Sequence, residues 1–148
     1  MENVNKIADP FVEAWASELF ETIADTKGNL WNLVHVEPCR RLDMADVILQ
    51  FRHKSNIGET ISANVDVKAT AGDFDQSGKS PNITSYERIR NAYIEDPDYI
   101  FVILSIKHRV YGECDDKTGL FNGVMEIVKH NAYDLKYISE EDLNYNPA

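Results

Sequence analysis

Apolar side chains near the start of the chain recur at helical spacing. Phe11, Val12, Trp15, Ala16, Leu19, Phe20 and Ile23 fall on one stripe at ~100° per residue. Asp9 and Pro10 read as an N-cap and a first helical residue, where proline's missing N–H is harmless, and Gly28 closes the segment. Residues 30–36 are strand-like and end at Pro38. Val47, Leu49 and Phe51 then alternate on one face of a second strand headed by Asp46, with a turn at Ser55-Asn56-Ile57-Gly58. The clearest alternation covers residues 61–69, where odd positions are apolar and Asn64, Asp66 and Lys68 share the opposite face. Residues 70–82 carry the Gly, Ser, Asp and Thr of a loop. Thr84-Ser85-Tyr86-Glu87 is a capping box opening a helix through Ile89, Tyr93 and Ile94, and Asp96-Pro97 stops it. Residues 99–106 are apolar on both faces, as in a strand covered from both sides. Residues 124–128 and 131–138 suggest further strands, or a strand and a helix. This order predicts an α/β layer, a mixed β-sheet flanked by α-helices.

At 148 residues and 43% hydrophobic content the chain is one domain's worth, long enough to bury a core without staples. No apolar run approaches the ~18 residues of a membrane span, the first residues lack a signal-peptide pattern, and two cysteines make no disulfide framework. A soluble cytoplasmic domain with no membrane partner is the expectation. The formal net charge of -10 counts against a protein that coats phosphate backbones by bulk charge. Local basicity at Arg40, Arg41, Arg52, His53 and Lys54, and at Lys107-His108-Arg109, keeps nucleic acid open.

Candidate chemistry centres on Asp66 and Lys68, a carboxylate and an ammonium side by side on one strand face. Hairpin pairing of the preceding strand would bring Asp46 to the same edge. Two carboxylates there suit a hard divalent cation such as Mg²⁺, and an adjacent lysine suits metal-assisted phosphodiester hydrolysis. An acidic residue two before a lysine also occurs at Asp25/Lys27, Asp115/Lys117 and Asp134/Lys136, so spacing alone leaves two readings open: a metal site, or a solvated strand face with a surface ion pair. On the first helix Glu13 and Glu18 flank the apolar stripe, either able to look into a neighbouring cleft, while Glu21 lies opposite. His35, His53, His108 and His130 lack metal-ligand spacing and read as surface or packed residues, with His108 a candidate phosphate contact. Cys39 and Cys114 read as inert thiols, Trp15 and Trp31 as core aromatics.

Three blocks, Ala45-Asp46-Val47-Ile48-Leu49, Val65-Asp66-Val67-Lys68-Ala69-Thr70 and Ser80-Pro81-Asn82-Ile83-Thr84-Ser85-Tyr86, resemble in order and spacing the core of the PD-(D/E)xK nucleases. The resemblance covers about residues 8–95 and is greatest to type II restriction endonucleases of the HincII kind. It implies a restriction-endonuclease-like core and Mg²⁺-dependent cleavage of double-stranded DNA by a homodimer. It also implies Asp46, Asp66 and the Val67 carbonyl as metal ligands, Lys68 as the catalytic lysine, and Glu13 as the helix carboxylate, with Glu18 the alternative. Lys79, Asn82 and Arg88, in and after the loop, become the DNA contacts. Ala45 stands where the family pattern has proline. The chain is short for a sequence-specific enzyme of this kind, so residues 1–148 read as one nuclease-like domain, minimal or the catalytic part of a longer chain. A structure-specific relative such as a Holliday-junction resolvase fits the length, and an acidic DNA-mimic protein fits the charge.

Overall fold

A computed structural model describes residues 2–40, 42–56, 58–71, 82–83, 86–138 and 144–145. The elements run α1 (Glu2–Asp25), β1 (Leu33–Pro38), β2 (Val47–Arg52), β3 (Thr60–Ala71), β4 (Asn82–Ile83), α2 (Tyr86–Glu95), β5 (Phe101–Cys114), β6 (Phe121–Asp134), a 3-10 turn (Leu135–Tyr137) and β7 (Asn144–Tyr145). Five strands form one sheet in the order β1-β2-β3-β5-β6, while β4 and β7 pair separately. β1, β2 and β3 are antiparallel neighbours, β3 and β5 are parallel, and β5 and β6 are antiparallel. The parallel pair needs a crossover, and α2 lies on it. The sheet is therefore mixed, with helices on its faces, as the sequence pattern predicts.

Two apolar clusters hold this arrangement. Val12 and Ala16 of α1 pack on Leu33, Val47, Leu49, Val65, Val67 and Ile106. Ile89 of α2 packs with Ala45, Phe101, Ile103 and Leu135. Fully burying each Val, Leu, Ile or Phe among them contributes roughly 1.5–3 kcal/mol. Val65, Val67 and Ala69 of β3 enter the α1 cluster, so period-two alternation sends Asp66 and Lys68 to the other face.

Several expectations need correction. The first helix does not start at Pro10: it begins at Glu2 and runs through the proline, which occupies an exposed position and forgoes one backbone hydrogen bond. The apolar stripe of α1 is split, with Val12 and Ala16 buried while Phe11, Trp15 and Leu19 stay exposed. Trp15 (38% exposed) and Trp31 (59%) are thus not core aromatics. β1 starts three residues later than predicted because Asn32 takes a positive φ of 56° and the Asn29 side chain bonds both N–H and C=O of Leu33. Residues 121–137 form one long strand and a 3-10 turn, the strand's register shifted by a bulge opposite Lys107/His108. His108 is 1% exposed, so it is packed rather than offered to phosphate. Among the described residues no helix is long and apolar enough to cross a membrane. Thr84, Ser85 and Lys79 lie outside the described residues.

Candidate active site

β3 continues past the point where β2 begins, and the residue at that departure is Asp46. Val47 pairs with Val65, so antiparallel register carries Asp46 opposite Asp66. The Asp46 backbone N–H donates to the Val65 carbonyl at 2.9 Å. Beyond it the Asp46 side chain replaces a strand carbonyl: its Oδ2 accepts the Val67 N–H at 2.7 Å. The carboxylate is thereby fixed against β3 by two bonds, one from its own backbone and one to its side chain.

Asp66 and Lys68 form an ion pair of 2.9 Å on the far face of β3. Asp66 is 9% exposed, and its register partner across the parallel ladder is Ile103, so its carboxyl sits beside apolar surroundings. Burial pushes its pKa up, the Lys68 ammonium pulls it down, and the neighbouring Asp46 carboxylate pushes it up again, leaving it raised to about 6. The pair is held close by Coulomb attraction, but neither group is surrounded by enough donors to make the ionised carboxylate comfortable.

Glu13 reaches this edge from α1. Its carboxyl is raised, first by burial, then by Asp46 and Asp9, and is lowered by Lys68. Glu13, Ala14 and Ser17 share the helix face that lines a cleft of about 540 Å³ with Arg40, Asp46 and Val67. Glu18, the alternative helix carboxylate, does not line it; its backbone carbonyl accepts the Thr22 hydroxyl at 2.8 Å.

Among the described residues no three His, Cys, Asp or Glu side chains enclose a cation. The donor set nonetheless fits Mg²⁺. Two hard carboxylates, at Asp46 and Asp66, face each other closely enough to raise Asp66, and a divalent charge between them would relieve that repulsion. Mg²⁺ usually takes only one or two carboxylates and completes its shell with waters and substrate phosphate. The fit is to a cation shared with a substrate, not to an all-protein cage.

Of the sequence-predicted DNA contacts, Arg88 is the one whose side chain is described. Lys79 lies outside the described residues, and Asn82 is placed only as backbone in β4, pairing with Asn144. Arg88 is exposed on α2 and donates from Nη1 to the Leu42 carbonyl at 3.0 Å, tying the helix to the loop between β1 and β2. The cleft also has lining residues that spacing did not single out, Ser17, Cys39 and Arg40. Cys39 stands next to Asp46, its N–H donating to the Asp46 carbonyl at 2.8 Å, and burial with neighbouring acids pushes its thiol up. Ser17 was findable as the residue one helical turn after Glu13, whereas Arg40 shows in the sequence only as a positive charge.

The family described as type II restriction endonuclease HpaI matches residues 1–148. A relative, the type II restriction enzyme HpaI of Haemophilus parainfluenzae, is 55% identical over all 148 residues of this chain. The chain spans 57% of that relative's length. Matched over all its residues at that identity, the chain belongs to the HpaI family of type II restriction endonucleases.

Proposed function

We propose that this chain carries the catalytic centre of a Mg²⁺-dependent endodeoxyribonuclease, a type II restriction endonuclease hydrolysing phosphodiester bonds of double-stranded DNA. The reading includes a PD-(D/E)xK mechanism with the HincII-like order of Asp46, Asp66 and Lys68, and a cytoplasmic location. The observation that carries it is the Asp66–Lys68 pair at 2.9 Å, set beside an Asp46 carboxylate anchored by the Val67 N–H. Family membership and the 55% identical HpaI relative support it.

In this mechanism Asp46, Asp66 and the Val67 carbonyl would hold the cation, with Glu13 as a further carboxylate at the cleft. Bound there, Mg²⁺ supplies Lewis-acid charge to the phosphoryl oxygens and lowers the pKa of an attacking water. Lys68 orients that water and stabilises charge building on the phosphoryl group, and the Asp66 ion pair keeps its ammonium in place. The water attacks phosphorus as the bond to the leaving oxygen breaks. A catalytic lysine next to the carboxylates is what an acidic DNA mimic has no use for. One chain presents one such edge, and cutting both strands of a duplex calls for two, so the reading is of a homodimer whose two-fold matches that of its substrate.

Plasmid DNA incubated with purified protein and Mg²⁺, beside Asp66→Ala and Lys68→Ala, tests the reading. Discrete fragments, reduced about 10²–10³-fold or more in either variant, are expected. Undiminished cutting by both variants would reject this site, and cutting confined to branched junctions would make the enzyme a structure-specific nuclease. Sedimentation velocity checks the homodimer.

A further inference from the structure

The cleft beside Asp46 holds a cation that the catalytic scheme leaves unused. Arg40 lines it together with Glu13, Ser17 and Asp46. Its backbone is fixed twice to one partner: its N–H donates to the Asp43 carboxylate at 2.7 Å, and its carbonyl accepts the Asp43 N–H at 3.0 Å. The preceding residue, Cys39, is bonded to the Asp46 carbonyl at 2.8 Å, so this turn is referenced directly to the candidate metal ligand. The Arg40 side chain is exposed and forms no hydrogen bond or ion pair with any described residue, although two carboxylates share its cleft. A guanidinium kept out of carboxylate pairing retains its full fork of donors for an outside anion. A DNA strand entering here meets the negative charge of Glu13 and Asp46, which Lys68 offsets only in part since the Glu13 carboxyl stays raised, so a second cation lining the same cleft eases the entry of a phosphate.

We propose that Arg40 forms a backbone-phosphate subsite, gripping a phosphate of the DNA strand delivered to Asp46 and Asp66 without touching the reacting atoms. The proposal rests on the nuclease reading of the same cleft. It makes Arg40 a positioning residue for substrate, acting on binding rather than on the chemical step. The contact carries no base information, since phosphate contacts set register rather than sequence.

The test separates binding from cutting. Lys68→Ala protein, in Mg²⁺, is titrated against a fluorescent duplex carrying a site mapped from plasmid digestion, with Arg40→Ala or Arg40→Lys added. Arg40→Ala is expected to weaken binding about tenfold and to flatten the slope of log affinity against log salt by about 0.9, one released counterion. Arg40→Lys should keep the slope while losing several-fold in affinity, because the charge stays and the planar fork goes. Single methylphosphonate linkages scanned along the duplex should reveal one position where Arg40→Ala costs nothing further. Unchanged affinity and slope in Arg40→Ala, or additive losses at every methylphosphonate position, would overturn the subsite. Because Arg40 is exposed, folding is preserved, and circular dichroism melts verify it. Plasmid cleavage by the Arg40-intact chain, lost in Asp66→Ala, keeps the catalytic reading standing whichever way the Arg40 result falls.

Discussion

Asp66 carries opposite demands on one carboxyl. Its burial and the facing Asp46 raise its pKa from 3.8 to about 6, so the folded chain holds a proton that the unfolded chain releases between those values. Stability from this group is therefore fullest on the acid side and is lost as pH rises through about 6. Above that pH the ionised carboxylate destabilises the metal-free protein by something on the order of 2–3 kcal/mol. Asp66→Asn keeps the shape and removes the charge. It is expected to raise urea stability at pH 8 in the presence of a chelator, to change little at pH 4, and to abolish cleavage. Lys68, 28% exposed, stays hydrated when its partner is neutral. A loss of stability at pH 8 would show that the ion pair outweighs desolvation. Lys68→Ala should instead lower urea stability at pH 8, since it leaves the Asp66 carboxylate buried without its cation.

At the scale of elements, β3 was the most legible part of the chain. Its alternation from Ile61 to Ala69 fixes which side chains reach the α1 core, and the Asp-headed strand before it places Asp46 opposite Asp66 through ordinary hairpin pairing. The apolar run at residues 99–106 likewise announced an interior strand, and β5 lies between β3 and β6. What the pattern hid follows from local physics. Pro10 looks like a helix start because the first turn is where a helix accepts proline at no cost, yet α1 runs through it at the expense of one backbone hydrogen bond. Arg40 was visible as charge but not as a cleft residue, because its place depends on Asp43 bonds that spacing does not reveal. The length of the β5–β6 hairpin was hidden by polar residues on strands that run out beyond the end of β3. Its outer part depends on Gly112 facing Gly123. A Cβ at Gly112 would collide with the Asn122 carbonyl and sit 2.7 Å from the Gly123 Cα, all backbone and unable to yield. Gly112→Ala is expected to cost about 1–3 kcal/mol. Hydrogen exchange should quicken over residues 109–126, with β2 and β3 unchanged. Protection equal to the parent would mean that the two strands separate there without penalty.

For the whole molecule, a net charge of -10 and the proposed two-carboxylate edge would make divalent cations both general and specific partners. Any cation screens the self-repulsion of so acidic a chain. Mg²⁺ held by Asp46 and Asp66 would stabilise further, by RT ln(1 + [Mg²⁺]/Kd), because the unfolded chain has no such pair. Two protein carboxylates, with no third ligand closing the group among the described residues, would make a weak site until a DNA phosphate joins it. With a dissociation constant near 1 mM, 10 mM Mg²⁺ adds about 1.4 kcal/mol. A chain of this size should then gain roughly 2–8 °C in melting temperature over a chelator control. The comparison is made at matched ionic strength with Na⁺, which removes the screening contribution. Asp46→Asn/Asp66→Asn together should erase the gain while preserving the fold, since an asparagine oxygen at position 46 still accepts the Val67 N–H. A gain that survives the double substitution would place the cation elsewhere on this acidic surface. A gain lost in the double variant, and enlarged for the parent by added duplex, would tie metal and substrate to one edge of the sheet.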